Sequence, residues 1–466
     1  MLFNSNDFLA FFGLFCAGYF VAGRSLLLRN LIMVAGSYVF YSWWDPRFTV
    51  LLLFTSVLDF SVGWLMDSAA SERRRRALLA TSIVSNLGVL AVFKYFNFFR
   101  ESFENLFAEL GWGLHWKTWE IVLPVGISFY TFQSMSYVMD VYRRIIPAHR
   151  DLLGFLGYVS FFPHLVAGPI QRGTTLLPQF ARSLVITAKD IELGIWLSAW
   201  GLFKKVVIAD NLAPLVELVY HHPGAGGPMV LLGTAAFAIQ IYCDFSGYSD
   251  IATGVSRLLG FRLTLNFKLP YFATNLRDFW HCWHISLSTW LRDYLYISLG
   301  GNRGSQGRIY LNLGITMLLG GLWHGASLTF VLWGLWHGLG LIANRWWDQH
   351  RPAGVVLPAW VSWLATQGFV LYGWLLFRAG SFDQVLELTR ALVAVSLPHW
   401  WPTYLANLLV LSAPLTAVQI WQRCARDLNA PLRLPVWPRG FLQGLLLLLI
   451  VAFWKEEASP FLYFQF

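Results

Sequence analysis

The sequence predicts an all-α, polytopic integral membrane protein with about 11–12 transmembrane helices, supplemented by re-entrant or amphipathic helices. Three observations lead there. Of 466 residues, 56% are hydrophobic and 13% charged, whereas a soluble domain carries about 25% charge. Apolar runs approaching the roughly 20 residues that cross a bilayer recur from end to end. The basic residues gather in short stretches between those runs. A soluble fold is excluded, and with no low-complexity linker or internal repeat the chain reads as a single membrane-embedded domain over 1–466.

In chain order the expected spans fall near 7–23, 30–44, 48–66, 77–96, 120–141, 206–220, 230–256, 309–323, 327–343, 360–377, 404–421 and 441–454; the shorter ones imply tilt or re-entry. No basic residue precedes the first apolar run, which favours a retained first helix over a cleaved signal peptide. Clusters such as Tyr41-Ser42-Trp43-Trp44 and Trp346-Trp347 mark span ends, where amphipathic rings settle. Arg73-Arg74-Arg75-Arg76 separates the third and fourth spans and places that loop in the cytoplasm. Counting back, the loop from Arg24 to Arg29 is also cytoplasmic and the N-terminus periplasmic; counting forward, Arg143, Arg144 and Arg150 again fall inside. The net charge of +9 mainly sets orientation, with a secondary pull on an anionic cytoplasmic donor.

Two stretches depart from simple spans. Residues 97–118, with Arg100, Glu101, Glu104, Glu109 and Lys117, read as an amphipathic segment at the outer surface. Residues 257–308 read as interfacial or re-entrant helices on the cytoplasmic side, buried in protein. Gly and Pro interrupt apolar runs at 123–126, 167–170 and 319–322. Irregular backbone at membrane depth survives where protein or a wet cavity satisfies it, so three such breaks point to a cavity.

Ionisable groups inside spans are costly and each calls for a reason. Read as one helix, Arg277, His281, His284, Ser288 and Arg292 recur at steps of four, three, four and four and form one polar stripe. A face that simply touches water is the bland alternative. His324, in Leu322-Trp323-His324-Gly325-Ala326-Ser327, sits in an apolar run and is bracketed by glycines that predict a helix break beside a cavity. A neutral imidazole there can accept a proton near physiological pH; a packing hydrogen bond is its bland alternative. His337 repeats the Trp-His-Gly pattern thirteen residues on, about 3.6 turns of helix, which puts the two rings on different faces and favours an interfacial or structural role. His164 is a further candidate, and Asp244, Ser246, Ser249 and Asp250 form a polar knot suited to pairing with arginines of the stripe. Cys16, Cys243, Cys282 and Cys424 are scattered and read as packing residues. The sequence carries no phosphate loop, zinc motif or serine-hydrolase elbow, and neither a bound metal nor nucleic-acid contact is expected.

Stretches 124–133 (Pro-Val-Gly-Ile-Ser-Phe-Tyr-Thr-Phe-Gln), 166–170 (Val-Ala-Gly-Pro-Ile), 278–302 and 320–326 (Gly-Gly-Leu-Trp-His-Gly-Ala), with the opening 1–5 and closing 460–466, resemble the membrane-bound O-acyltransferase family in its bacterial, alginate O-acetylation branch. The likeness runs over nearly the full chain. It implies helices around a central channel, a donor entering from the cytoplasm, His324 as the principal catalytic histidine and His284 as the second. Asp278, His281, Ser288, Arg292, Asp293 and Trp323 are carried as channel-lining or supporting positions. One departure stands out: His281-Cys282 occupies the place of a basic or His-Arg pair before Trp283.

The implied function is an inner-membrane O-acyltransferase that moves acetyl from cytoplasmic acetyl-CoA, with no bound cofactor, toward a secreted exopolysaccharide. The implied partners are membrane lipid, a periplasmic acetyltransferase and a polysaccharide synthesis and export complex. Alginate, cellulose and teichoic acid stay open as acceptors. D-alanyl transfer to a cell-wall polymer and a non-enzymatic scaffold stay open as functions. A transporter is disfavoured because no matching repeat halves are found.

Overall fold

A computed structural model describes all residues except 24, 112–120, 222–225, 353, 456–460 and 463–466. Among the described residues the secondary structure is helical throughout, without a strand. The contacts group into two compact units, Met1–Ile186 with Leu259–Leu263, and Thr187–Leu258 with Thr264–Phe466.

The first unit holds α1 (Asn6–Val21), α2 (Leu26–Ser42), α3 (Arg47–Asp67), α4 (Glu72–Glu109), α5 (Ile127–Tyr142), α6 (Leu152–Ser160), the single turn α7 (Phe162–Leu165) and α8 (Gly173–Phe180). Ser5, Ser25, Ser71 and Asp151 cap α1, α2, α4 and α6 by accepting amide N–H groups that the first turn leaves without partners. Buried Asp59 on α3 binds α4 and α5 together, accepting from Ser82 (2.6 Å), Asn86 (2.9 Å) and Ser134. Arg75 is buried rather than part of a loop and donates to the carbonyls of Met66, Val141 and Tyr142. Together with the Arg150–Asp67 pair (2.8 Å) this gathers the end of α3, the start of α4 and the segment after α5 at one pole of the unit, so two of the three basic clusters share a side.

Helix α4 corrects one expectation. Residues 97–109 continue it without a break instead of forming a separate amphipathic segment; 112–118 of that segment lie outside the described residues. At 1.5 Å per residue the helix is about 57 Å long, nearly twice a ~30 Å hydrocarbon core.

The second unit holds α9 (Ala188–Leu202), a π-helical stretch Phe203–Ala209, α10 (Asp210–Tyr220), α11 (Gly227–Leu258), α12 (Leu276–Cys282), α13 (Ile285–Trp290), a second π-helical stretch Leu291–Tyr296, α14 (Gln306–His324), α15 (Leu328–His350), α16 (Ala359–Arg378), α17 (Phe382–Ala391), α18 (Trp401–Ala425) and α19 (Val436–Ala452). Helices α9 and α11 touch backbone to backbone: a Cβ on Gly201 would meet the Gly247 carbonyl at 2.5 Å, and one on Gly254 the Gly194 carbonyl at 2.6 Å. Glycines seven apart on each helix thus form an antiparallel close-contact seam.

Four described helices are long and apolar enough to cross a membrane, α3, α4, α11 and α18, and α1, α2 and α19 are shorter apolar helices. Among the described residues, the all-helical architecture with several apolar helices expected from composition is what the structure has.

Candidate active site

The site lies in the second unit. Helix α14 ends at His324 because Gly325 turns extended (φ −174°, ψ 162°) and Ser327 then caps α15, its Oγ accepting the Thr329 N–H at 3.3 Å. The break anticipated beside His324 is therefore present, on its C-terminal side. The Gly320-Gly321 pair is not part of it and corrects the reading of 319–322 as an interruption. Both glycines are helical, and Gly321 lets α14 lie against the Phe330 carbonyl and Gly334 of α15.

His324, 5% exposed, is enclosed by rings: Trp333 at 5.0 Å, Trp323 at 5.1 Å, Phe377 at 5.2 Å and Phe330 at 6.4 Å between centroids. Phe330 and Phe377 also line a cleft of about 320 Å³ with Ser327, Thr329, Arg378 and Leu462. The imidazole thus sits one ring layer behind a cleft lined by both apolar and polar side chains.

Trp323 joins the second histidine to the first, its ring 6.1 Å from that of His284. His284 is reached by a different route from the one expected. The helix through 277–292 is broken: Trp283 is extended and His284 adopts the left-handed region (φ 42°, ψ 54°) between α12 and α13. Helical arithmetic therefore fails across the break, and the five-residue polar stripe does not exist as one face. Arg277, His281 and Arg292 are exposed while His284 is 1% exposed.

Asn266 holds the kink. Its carbonyl accepts the Ile285 N–H (2.9 Å). Its side-chain Oδ1 receives the Ser286 N–H (3.3 Å), the Ser286 hydroxyl (2.9 Å) and His284 Nδ1 (3.1 Å), while Nδ2 donates to Ser249 (3.0 Å). A backbone N–H can only donate, so the Ser286 amide fixes which end of the Asn266 amide is oxygen. The proton of a neutral His284 then resides on Nδ1, which makes Nε2 the basic, accepting nitrogen.

The remaining expected positions are placed otherwise. Asp278 belongs to a helix cap, its N–H and carboxylate bonded to Asn275 (2.8 and 2.7 Å). Ser288 donates to the Trp283 carbonyl (3.1 Å), supporting the kink, and Asp293 pairs with its exposed neighbour Arg292 (2.6 Å). His337 is buried rather than interfacial. It stands on α15 in an aromatic cage with Trp333 at 4.8 Å and Trp280 at 5.1 Å. His164 belongs to the first unit, bonded to Gln133, whose amide also donates to the Tyr158 carbonyl (2.6 Å).

The acidic knot on α11 pairs with lysines, not with arginines of the stripe. Lys205 bridges Asp244 (2.7 Å) and Asp210 (2.8 Å), and Lys204 reaches Asp250 (2.7 Å) and Ser246 (2.8 Å). Both lysines are almost wholly buried on the π-helical stretch. Asp244 also accepts the Leu462 N–H (2.7 Å), seating Phe461 against Tyr248 (4.7 Å) and Phe245 (5.5 Å). Phe245 in turn packs on His284 at 4.6 Å. Sequence reading missed Asn266, Lys204, Lys205 and Asp210. The lone amide between Leu265 and Phe267, and the lysine pair at the edge of an apolar run, were the available signals. Among the described residues no group of three or more His, Cys, Asp or Glu side chains gathers as a metal site would.

The second unit of this all-helical membrane protein thus brings two buried imidazoles, His324 and His284, against one indole, Trp323, and similarity to known proteins defines the class as a membrane-embedded acyltransferase. Residues 146–380 match the model of the membrane-bound O-acyltransferase family, and the chain belongs to that family. Among its relatives, the probable alginate O-acetylase AlgI of Pseudomonas aeruginosa is 43% identical over 84% of this chain and 75% of its own length. The probable alginate O-acetylase AlgI of Pseudomonas putida is 38% identical over all of both chains. The peptidoglycan O-acetyltransferase of Helicobacter pylori is 34% identical over 86% of this chain and 81% of its own length.

Proposed function

We propose that the chain, acting as one acyltransferase domain over 1–466, takes acetyl groups from cytoplasmic acetyl-CoA and supplies them for O-acetylation of an alginate-type exopolysaccharide outside the inner membrane. The carrying observation is the His324–Trp323–His284 arrangement behind the cleft, with His284 oriented by Asn266. The relatives' names support polymer acetylation.

In this reading His324 accepts the proton of an acceptor hydroxyl as that oxygen bonds to the thioester carbonyl carbon. The carbon–sulfur bond then breaks, and the coenzyme A thiolate recovers the proton from the imidazolium. The hydroxyl belongs to the polymer or to a periplasmic acetyltransferase that carries the group onward. His284, protonated on Nδ1, presents an accepting Nε2. This suits it to hold a hydroxyl or thiol proton in line and not to stabilise a carbonyl oxyanion, which needs a donor. Asp278, His281, Ser288, Arg292 and Asp293 shape the entrance and the kink and take no part in the proton transfer. The N-terminus is periplasmic and the pole carrying Arg74 and Arg143 cytoplasmic, in line with the positive-inside rule.

The test is transfer from labelled acetyl-CoA by protein in nanodiscs, offered alginate oligosaccharide with and without the periplasmic partner. Label should reach the oligosaccharide when the partner is present, with loss of transfer in His324 variants. Absence of coenzyme A release in the complete system would defeat the donor assignment.

A further inference from the structure

We propose that Trp333 is a catalytic residue of this site, its indole N–H donating to the thioester carbonyl oxygen as negative charge develops there. The inference rests on the acyl transfer proposed above and completes it. When the acceptor oxygen bonds to the carbonyl carbon, one electron pair of the C=O bond moves onto the carbonyl oxygen. When the C=O bond re-forms, the carbon–sulfur pair leaves with the thiolate. A donor already in place at that oxygen favours the charged intermediate over the neutral thioester. His284 does not supply it, because its proton lies on Nδ1 toward Asn266 and its Nε2 accepts.

The donor has to stand next to His324. A base works within about 2.6–3.2 Å of the hydroxyl it deprotonates, an oxyanion donor within about 2.7–3.1 Å of its oxygen, and the two oxygens share one carbon. The group sought therefore belongs to a side chain against the imidazole. Of the four rings there, Phe330 and Phe377 carry no polar atom, and Trp323 is shared between the two imidazoles. Trp333 stands edge to face with His324, centroids 5.0 Å apart and planes at 84°. It is 2% exposed, and its Nε1 has no hydrogen-bond partner among the described residues. The hydroxyls of Ser327 and Thr329, which line the cleft, pair with each other at 3.0 Å.

A buried N–H without an acceptor costs about 1–3 kcal/mol, and a phenyl ring would fill much of the same space without that cost. An acceptor that arrives with the substrate accounts for the indole. The ring is also held in place, with His337 at 4.8 Å, Phe377 at 5.5 Å and Trp280 at 5.7 Å. The following residue, Gly334, lies so close to α14 that a Cβ would meet the Met317 carbonyl at 2.5 Å. A donor fixed in this way needs no reorganisation as the charge forms. Trp280 is the internal comparison: its Nε1 is likewise without a partner among the described residues, but its ring stands against His337, at 5.1 Å.

The experiment uses the full chain in nanodiscs with acetyl-CoA, alginate oligosaccharide and the periplasmic partner. Trp333→Phe removes the N–H together with part of the ring. 3-Benzothienylalanine at position 333, an isostere with sulfur in place of the N–H, removes the donor alone. Both should lower kcat about 10²- to 10³-fold, the effect of one oxyanion donor. With the isostere, the KM for acetyl-CoA, the thermal unfolding temperature and the midpoint of the pH–rate profile should stay native. The same isostere at position 280 should leave kcat unchanged.

Native kcat in the folded isostere at 333 overturns the proposal, as does loss at 323 with none at 333. Equal losses at 333 and 280, or a loss at 333 that shifts the pH profile, reduce Trp333 to packing around His324 and overturn it too. Cleavage of 4-nitrophenyl acetate, which forms the same oxyanion without coenzyme A, separates this inference from the donor assignment. If the native chain cleaves that ester but releases no coenzyme A from acetyl-CoA, the donor assignment falls, and slower ester cleavage by the isostere at 333 sustains the role of the N–H. A native chain inert toward both esters overturns both.

Discussion

Replacing His324 by phenylalanine separates chemistry from packing. The imidazole occupies a cage of four rings at 5.0–6.4 Å, so deleting it with alanine removes both the nitrogen and the filler. A buried ring deleted to alanine costs about 3 kcal/mol or more. A phenyl ring of similar shape stays in the cage at under about 1.5 kcal/mol. Loss of a positioned general base costs about 10² to 10⁴ in rate, equivalent to about 2.7–5.4 kcal/mol of barrier at 1.36 kcal/mol per decade. His324→Phe should therefore fold nearly as the native chain and lose at least a hundredfold in transfer, whereas His324→Ala should lose the same rate and also folded yield. His324→Gln should not recover activity, since an amide hydrogen-bonds but does not take up the proton. The assay is acetyl transfer per mole of folded, membrane-inserted protein, with thermal unfolding run in parallel. Native rates in folded His324→Phe would refute the base assignment outright.

Asn266→Leu leaves the His284 N–H and the Ser286 amide and hydroxyl without their acceptor, each loss worth about 1–3 kcal/mol when buried. Turnover measured at matched folded protein should fall about tenfold or more, and unchanged kcat would remove the orienting role. Lys205→Met strands the carboxylates of Asp244 and Asp210, which Lys205 bridges at 2.7 and 2.8 Å. Breaking such a buried pair costs about 3–5 kcal/mol, so detergent-solubilised yield and melting temperature should both drop. For topology, exposed Asn6 and Arg74 are the sites for single cysteines, because Phe3 and Arg75 are buried. A maleimide that does not cross membranes should reach position 6 from the periplasm only and position 74 from the cytoplasm only.

What was legible in the sequence was whatever depends on local composition. Apolar runs imply helices wherever they occur, and an isolated histidine among them is conspicuous because its burial needs a reason; His324 and the break at Gly325 were readable for that cause. What was illegible depends on partners distant in sequence. Periodicity assigned Arg277 to Arg292 to one helix, since nothing within that stretch signals the kink. The kink is imposed by Asn266, which replaces helical hydrogen bonds with its own carbonyl and amide. Glycine carries the same ambiguity: Gly320-Gly321 and Gly325 look alike as letters, but the pair is helical, Gly321 against α15 and Gly320 against Leu291, and the last ends α14. Lys204 and Lys205 fell outside the expected span at 206–220. A π-helical turn draws both inward, where three aspartates on α10 and α11 meet them.

The two Trp-His-Gly triplets show how identical local sequence acquires different uses, and they decide how His324 must be controlled. At 323–325 the glycine is followed by Ala326 and by Ser327, whose hydroxyl caps a new helix. The triplet therefore ends α14 and His324 stands at a helix end beside the ring-lined cleft. At 336–338 the glycine lies within α15, where its missing side chain admits Gly314 of α14 at 3.4 Å, while Trp336 donates to the Phe369 carbonyl at 3.0 Å. His337 is there a filler inside a helix pair. The comparison by helical phase, which set the two rings on different faces of one helix, does not apply, because they stand on consecutive helices and share Trp333, at 5.0 Å from His324 and 4.8 Å from His337. Alanine at 337 would consequently open space against the indole that also positions His324, and a loss of activity there would say nothing about proton transfer. His337→Phe keeps that indole supported. Near-native transfer in His337→Phe beside an inactive His324→Phe would locate the chemistry at the helix end, whereas equal losses in both would show that the aromatic cage, and not either nitrogen, is what the reaction requires.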